Sequence, residues 1–174
     1  MPTWKRIAHS LVVLLLLTVP LLARANPFEH TLSNGLRIIV KEDRRAPTAA
    51  HMVWYRAGGI DEVSGTTGVA HVLEHMMFKG TPSHREIPAE MKKRGINYNA
   101  QTSLDRTNYY ATLPPAALDG YIAIEADRMR GLLLREKDRQ SEMTVVRNEY
   151  ERNENNPNGA LMKLMWATAF SAHP

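Results

Sequence analysis

The run His71-Val72-Leu73-Glu74-His75 constrains the fold more than any other feature of the chain. At 3.6 residues per turn, His71, Glu74, His75 and Phe78 share one helix face, and Val69, Val72, Leu73 and Met76 share the opposite one. The segment is therefore expected to be a helix over about residues 66–78, capped by Thr66 or Thr67 and stopped by Gly80 and Pro82. Its apolar back is expected to lock it to a core. Two imidazoles one turn apart can chelate a single ion, and the neighbouring carboxylate can reach a water at that ion. The bland alternative for these five residues is a helix whose histidines are solvated or capped by neighbours.

Composition narrows the chemistry. The 174 residues contain no Cys, which excludes a disulfide framework, a thiolate zinc site, a Cys nucleophile and an iron–sulfur cluster. Any metal must then be held by His, Asp or Glu. The net charge of +4 is concentrated at the start: Lys5, Arg6 and Arg24 fall in the first 25 residues with no acid, and the remainder is near neutral. No basic patch with interleaved aromatics argues for nucleic acid. Residues 1–25 read as a secretory signal, with a positive start, an apolar stretch from Leu11 to Leu22 and small residues at Ala23 and Ala25. That stretch is shorter than the roughly 20 residues that span a bilayer. Cleavage near Ala25 is expected, with membrane contact only during export and a periplasmic or secreted product.

Along residues 26–174 the pattern is α+β. Residues 28–41 read as a hairpin about Asn34-Gly35, and residues 48–57 as a strand buried in a sheet. A short helix over 88–94 with Gly95 after it, a strand pair 97–103 and 106–113, and a long helix from Pro114-Pro115 to about Leu134 follow. Two more helices fit, 138–155 and 160–170, separated by Asn155-Asn156-Pro157-Asn158-Gly159. The fold expected is a mixed sheet packed against helices. Trp54, Tyr55 and Trp166 are read as packing residues, and His30, His51, His84 and His173 as ordinary histidines.

The stretch RAGGIDEVSGTTGVAHVLEHMMFKGT, Arg56 to Thr81, resembles the pitrilysin/insulinase family of zinc metallopeptidases, the inverzincins. Asn97, Asn99, Ala100, Thr102, Thr107 and Tyr109 are similar to the family's N-A-x-T…T-x-Y strand pair. Val145-Val146-Arg147-Asn148-Glu149 resembles its distal glutamate helix, and Asn156-Pro157 and His173-Pro174 also have counterparts. The resemblance implies one Zn²⁺ per chain, with His71, His75 and Glu149 as ligands. It implies that Glu74 is the general base and that Glu142, two turns before Glu149, is a supporting acid near the metal. It also implies that Asn99 and Ala100 lie on an edge strand that pairs with an extended peptide substrate.

The implied activity is endopeptidase hydrolysis of extended peptides or unfolded polypeptides. Family members have two related halves closing like a clamshell, and this chain matches only most of the first half. Residues 26–174 are accordingly expected to be a truncated N-terminal part of the catalytic domain. It would be completed by a second peptidase-like half or a homologous subunit, and little activity is expected from it alone. The alternatives are a non-catalytic binding or assembly subunit, and a metal-binding partner that does not hydrolyse peptides.

Overall fold

A computed structural model describes residues 27–170, so the expected signal at 1–25 lies outside the described residues. Contacts divide the chain into two units, Met1–Ala46 and Pro47–Pro174. In the first, β1 (Phe28–Thr31) pairs antiparallel with β2 (Arg37–Val40), Phe28 opposite Val40 and Thr31 opposite Arg37. The hairpin is as expected, with Ser33-Asn34-Gly35 as its connection. Leu32 N–H bonds Leu36 O at 2.9 Å, Gly35 N–H bonds Leu32 O at 2.9 Å, and of residues 33–35 only Gly35 has positive φ, so these residues form a three-residue loop.

The second unit carries a sheet of order β3-β5-β4, from β3 (Ala49–Tyr55), β4 (Asn97–Thr102) and β5 (Thr107–Leu113). A mixed sheet was expected, yet every pairing between described strands is antiparallel. Strand β3 is also not buried on both faces. It is an edge strand whose residues alternate, with Met52 56% and Trp54 55% exposed and the Arg106 guanidinium over the Trp54 ring. Its apolar run reads as two-sided burial, but helices cover only one face.

Among the described residues there are five α-helices: α1 (Val69–Met76), α2 (Ile87–Lys93), α3 (Leu118–Gly131), α4 (Glu136–Glu154) and α5 (Pro157–Ala169). Helix α2 ends as its sequence dictates. Gly95, at φ +68°, lets Gly95 N–H bond Lys92 O and Ile96 N–H bond Met91 O, which returns Ile96 to the core beside Met91. Helix α3 stops three residues before the expected Leu134, because Leu133 N–H leaves the helix to bond Gly80 O. Helix α5 starts three residues earlier than expected. Asn156 caps it through Oδ1, accepting from the Asn158 and Gly159 amides, and Pro157 takes the first turn.

The core lies between the sheet and helices α2 and α3: Ile87, Met91, Ile96, Ala111, Leu113, Tyr121 and Ile124. Next to it, α3 buries an ion pair on the same stripe. Arg128 Nε and Nη2 donate to the two Glu125 oxygens at 3.0 and 2.5 Å, and the guanidinium lies over Tyr109 and Phe78. Among the described residues no helix is long and apolar enough to cross a membrane.

Candidate metal centre and cleft

Helix α1 is shorter than expected, and neither Thr66 nor Thr67 caps it. The Glu62 carboxylate does so from the preceding loop, accepting from Gly68 N–H at 2.7 Å and Ala70 N–H at 2.8 Å. A carboxylate at this end also meets the positive pole of the helix. The expected apolar back is not what holds α1. Val69 and Leu73 are exposed and only Met76 of the four apolar residues is buried, whereas Glu74 is 8% exposed. The helix turns its polar face inward because β4 and α4 offer that face hydrogen-bonding partners.

His71 and His75 lie edge to face with ring centroids 4.9 Å apart. Their Nε2 atoms are 3.3 Å apart, and Glu149 Oε2, from α4, lies 3.4 Å from His71 Nε2 and 3.6 Å from His75 Nε2. A tetrahedral zinc about 2.0–2.1 Å from each ligand atom sets those atoms about 3.3–3.4 Å apart. The three donors, two imidazoles and one carboxylate, therefore have both the chemistry and the mutual spacing of a group that could hold one zinc ion.

The outer atoms are organised as well. His75 Nδ1–H donates to Glu142 Oε2 at 2.8 Å, and Nε2, the lone-pair nitrogen of the neutral ring in that tautomer, is directed at His71 and Glu149. The other Glu142 oxygen takes an ion pair from Lys79 Nζ. Burial pushes the Glu142 carboxyl up, but the hydrogen bonds from Lys79 and His75 together outweigh it and hold it below the ordinary carboxylate range.

Glu74 is held from the sheet. Thr102 Oγ1, at the end of β4, donates to Glu74 Oε2 at 2.5 Å, and Thr107 Oγ1 donates to Ala57 O beside it. A cleft of about 820 Å³ opens over these groups, bounded by β4 from Tyr98 to Thr102, by His71, Glu74, His75 and Phe78, and by Glu142 and Glu149. Strand β4 is an edge of the sheet on this side, and Asn99 and Ala100 both lie along the cleft. Ala100 N–H bonds Asn99 Oδ1 at 2.9 Å and so points away from β5, toward the edge.

The structure brings together all seven residues expected from the sequence. It adds two that were not assigned a role at the metal, Lys79 and Thr102. Lys79 lies one turn after His75, and Thr102 lies on the same strand face as Ala100, so helical and strand periodicity could have placed both. His51 and His84 do not line the cleft: His51 is edge-on to Tyr121, and His84 Nδ1 pairs with Glu90.

The sequence profile of the family described as Insulinase (Peptidase family M16) matches residues 37–174. The chain is 34% identical over 148 residues to the zinc protease PqqE of Helicobacter pylori, covering 83% of this chain and 33% of that protein. It is likewise 34% identical over 146 residues to the mitochondrial-processing peptidase subunit beta of Caenorhabditis elegans, covering 83% of this chain and 32% of that one. Among solved structures, a protease from Helicobacter pylori matches at TM-score 0.74 and 33% identity, over 78% of this chain and 34% of that one. The periplasmic protease PqqL of Escherichia coli shares the fold at TM-score 0.74 and 23% identity, over 80% of this chain and 16% of that one. The chain spans about a third of the length of the curated relatives it matches.

Proposed function

Because the chain belongs to the insulinase family of peptidases (family M16), we propose that it is the zinc-binding, catalytic front of an exported metalloendopeptidase. The observation that carries this reading is the convergence of His71 Nε2, His75 Nε2 and Glu149 Oε2 at the spacing of zinc ligands. His71, His75 and Glu149 would hold the ion, and the chemistry it supplies is Lewis acidity toward a peptide carbonyl and toward water. Glu142 fixes the tautomer and orientation of His75.

Glu74 is the general base. With one oxygen held by Thr102, the other takes the proton of the attacking water and returns it to the leaving amine. The edge of β4 binds the substrate extended, a peptide carbonyl replacing Asn99 Oδ1 on Ala100 N–H. The substrate is then an extended peptide or unfolded polypeptide, whose main chain supplies the partners. A further peptidase-like half or a homologous subunit would close the cleft, in keeping with relatives three times as long and one described as a subunit. Export rests on the leader-like residues 1–25.

A non-catalytic subunit or a metal-binding partner would share the fold and lack Glu74-dependent turnover. The test is hydrolysis of an unstructured fluorogenic peptide by the native protein and by Glu74→Gln. We expect the variant to keep its zinc and lose turnover, and full activity in Glu74→Gln would overturn the assignment.

A further inference from the structure

We propose that Lys79 is a positioning residue of the metal centre, acting through Glu142 to fix how His75 faces the ion. The inference rests on the reading that His71, His75 and Glu149 hold zinc. Glu142 has both carboxylate oxygens committed, one to His75 Nδ1–H and one to the Lys79 ammonium. A carboxylate gripped at one oxygen can rotate, and gripped at both it cannot, so the lysine decides whether Glu142 stays in line with the His75 ring.

Lys79 is itself tethered at its main chain. Its N–H bonds Met76 O at 2.9 Å at the end of α1, and its carbonyl accepts from Arg135 Nη2 at 2.9 Å at the start of α4. It thus joins the helix that carries the two histidines to the helix that carries Glu142 and Glu149. Charge points the same way. Glu74, Glu86, Asp138, Glu142 and Glu149 line the cleft with Lys79, Arg85 and Arg135, and the Lys79 ammonium is the cation bound to Glu142, the most buried of the three acids that α4 contributes. An ordinary surface ion pair would contribute little and only to stability. This pair differs because its carboxylate side chain is 10% exposed and is shared with the ring of a metal-ligating histidine.

The test is titration of the full chain with Zn²⁺ against a chromophoric chelator, for the parent, Lys79→Met, Lys79→Arg, Glu142→Gln and the Lys79→Met/Glu142→Gln double variant. Lys79→Met is expected to weaken zinc binding by about tenfold or more, in the range of lost partners of ligating histidines. Lys79→Arg is expected to restore most of that loss. With Glu142→Gln in place, Lys79→Met should cost nothing further, because the lysine acts through that carboxylate. Imidazole nitrogen NMR of the metal-free protein should show His75 as the Nδ1–H tautomer in the parent and as a mixture in Lys79→Met.

If Lys79→Met does not fold, Lys79→Gln, which keeps a donor without the charge, takes its place in the comparison. Zinc binding unchanged by Lys79→Met in a parent that binds zinc overturns the role of the lysine alone, as does an equal loss in the Glu142→Gln background. A parent that takes up no zinc overturns the metal reading and the inference with it.

Discussion

Replacing Arg128 by Met should destabilise the chain by about 3–5 kcal/mol, the cost of removing one partner of a buried ion pair. The magnitude follows from the surroundings. The Arg128 side chain is fully buried and that of Glu125 is 3% exposed, and two hydrogen bonds of 3.0 and 2.5 Å join them. At that range the gross attraction is about 5 kcal/mol at an effective dielectric near 20. Met conserves much of the aliphatic volume but leaves the Glu125 carboxylate buried without its cation. It also removes the guanidinium from the faces of Tyr109, at 4.5 Å, and Phe78, at 5.2 Å, worth about 1–2 kcal/mol more. The double variant Arg128→Met/Glu125→Leu should be markedly more stable than Arg128→Met alone, since no uncompensated charge remains. Urea unfolding followed by far-ultraviolet circular dichroism measures both. A loss below about 1 kcal/mol in the single variant, or strictly additive losses in the double one, would refute the reasoning.

Other consequences are more local. Burial, with the nearby charge of Arg128, holds His51 below the ordinary imidazole value of 6.5 despite the opposing charge of Glu125. The unfolded chain therefore takes up that proton first as the pH falls, and stability declines from pH 6.5 down to the folded-state value. His51→Gln should lose this part of the slope in unfolding measurements across that range, and an unchanged slope would contradict the burial argument. For the proposed base, Thr102→Val keeps shape but removes the donor to Glu74. In the active protein it should lower kcat about tenfold or more, the worth of a hydrogen bond to a charged group, with KM unchanged and Thr102→Ser restoring it. An unaltered kcat in Thr102→Val would remove that role.

Local periodicity made the site-bearing elements legible. The helix spacing of His71, Glu74 and His75, the two-turn spacing of Glu142 and Glu149, and the strand pair holding Asn99 and Ala100 can each be read within a few turns of chain. Gly95 likewise announced the end of α2, since its hydrogen bonds are local. What sequence reading missed depended on distant partners. Val69 and Leu73 look like core residues until α4, some 70 positions on, claims the polar face of α1. Leu132 to Leu134 read as helix because the pairing of Leu133 with Gly80 is invisible locally. Nothing local in the sequence marks Glu125 and Arg128 as interior residues: three residues apart on α3, they pair with each other and are buried together.

The central claim is that two imidazoles of α1 and one carboxylate of α4 form a single zinc site. It is tested most directly by the zinc content per chain, by elemental analysis after equilibration against a metal buffer, in the parent, Glu149→Ala and Glu74→Gln. We predict one zinc in the parent and in Glu74→Gln, and almost none in Glu149→Ala. A full equivalent retained by Glu149→Ala would contradict the account.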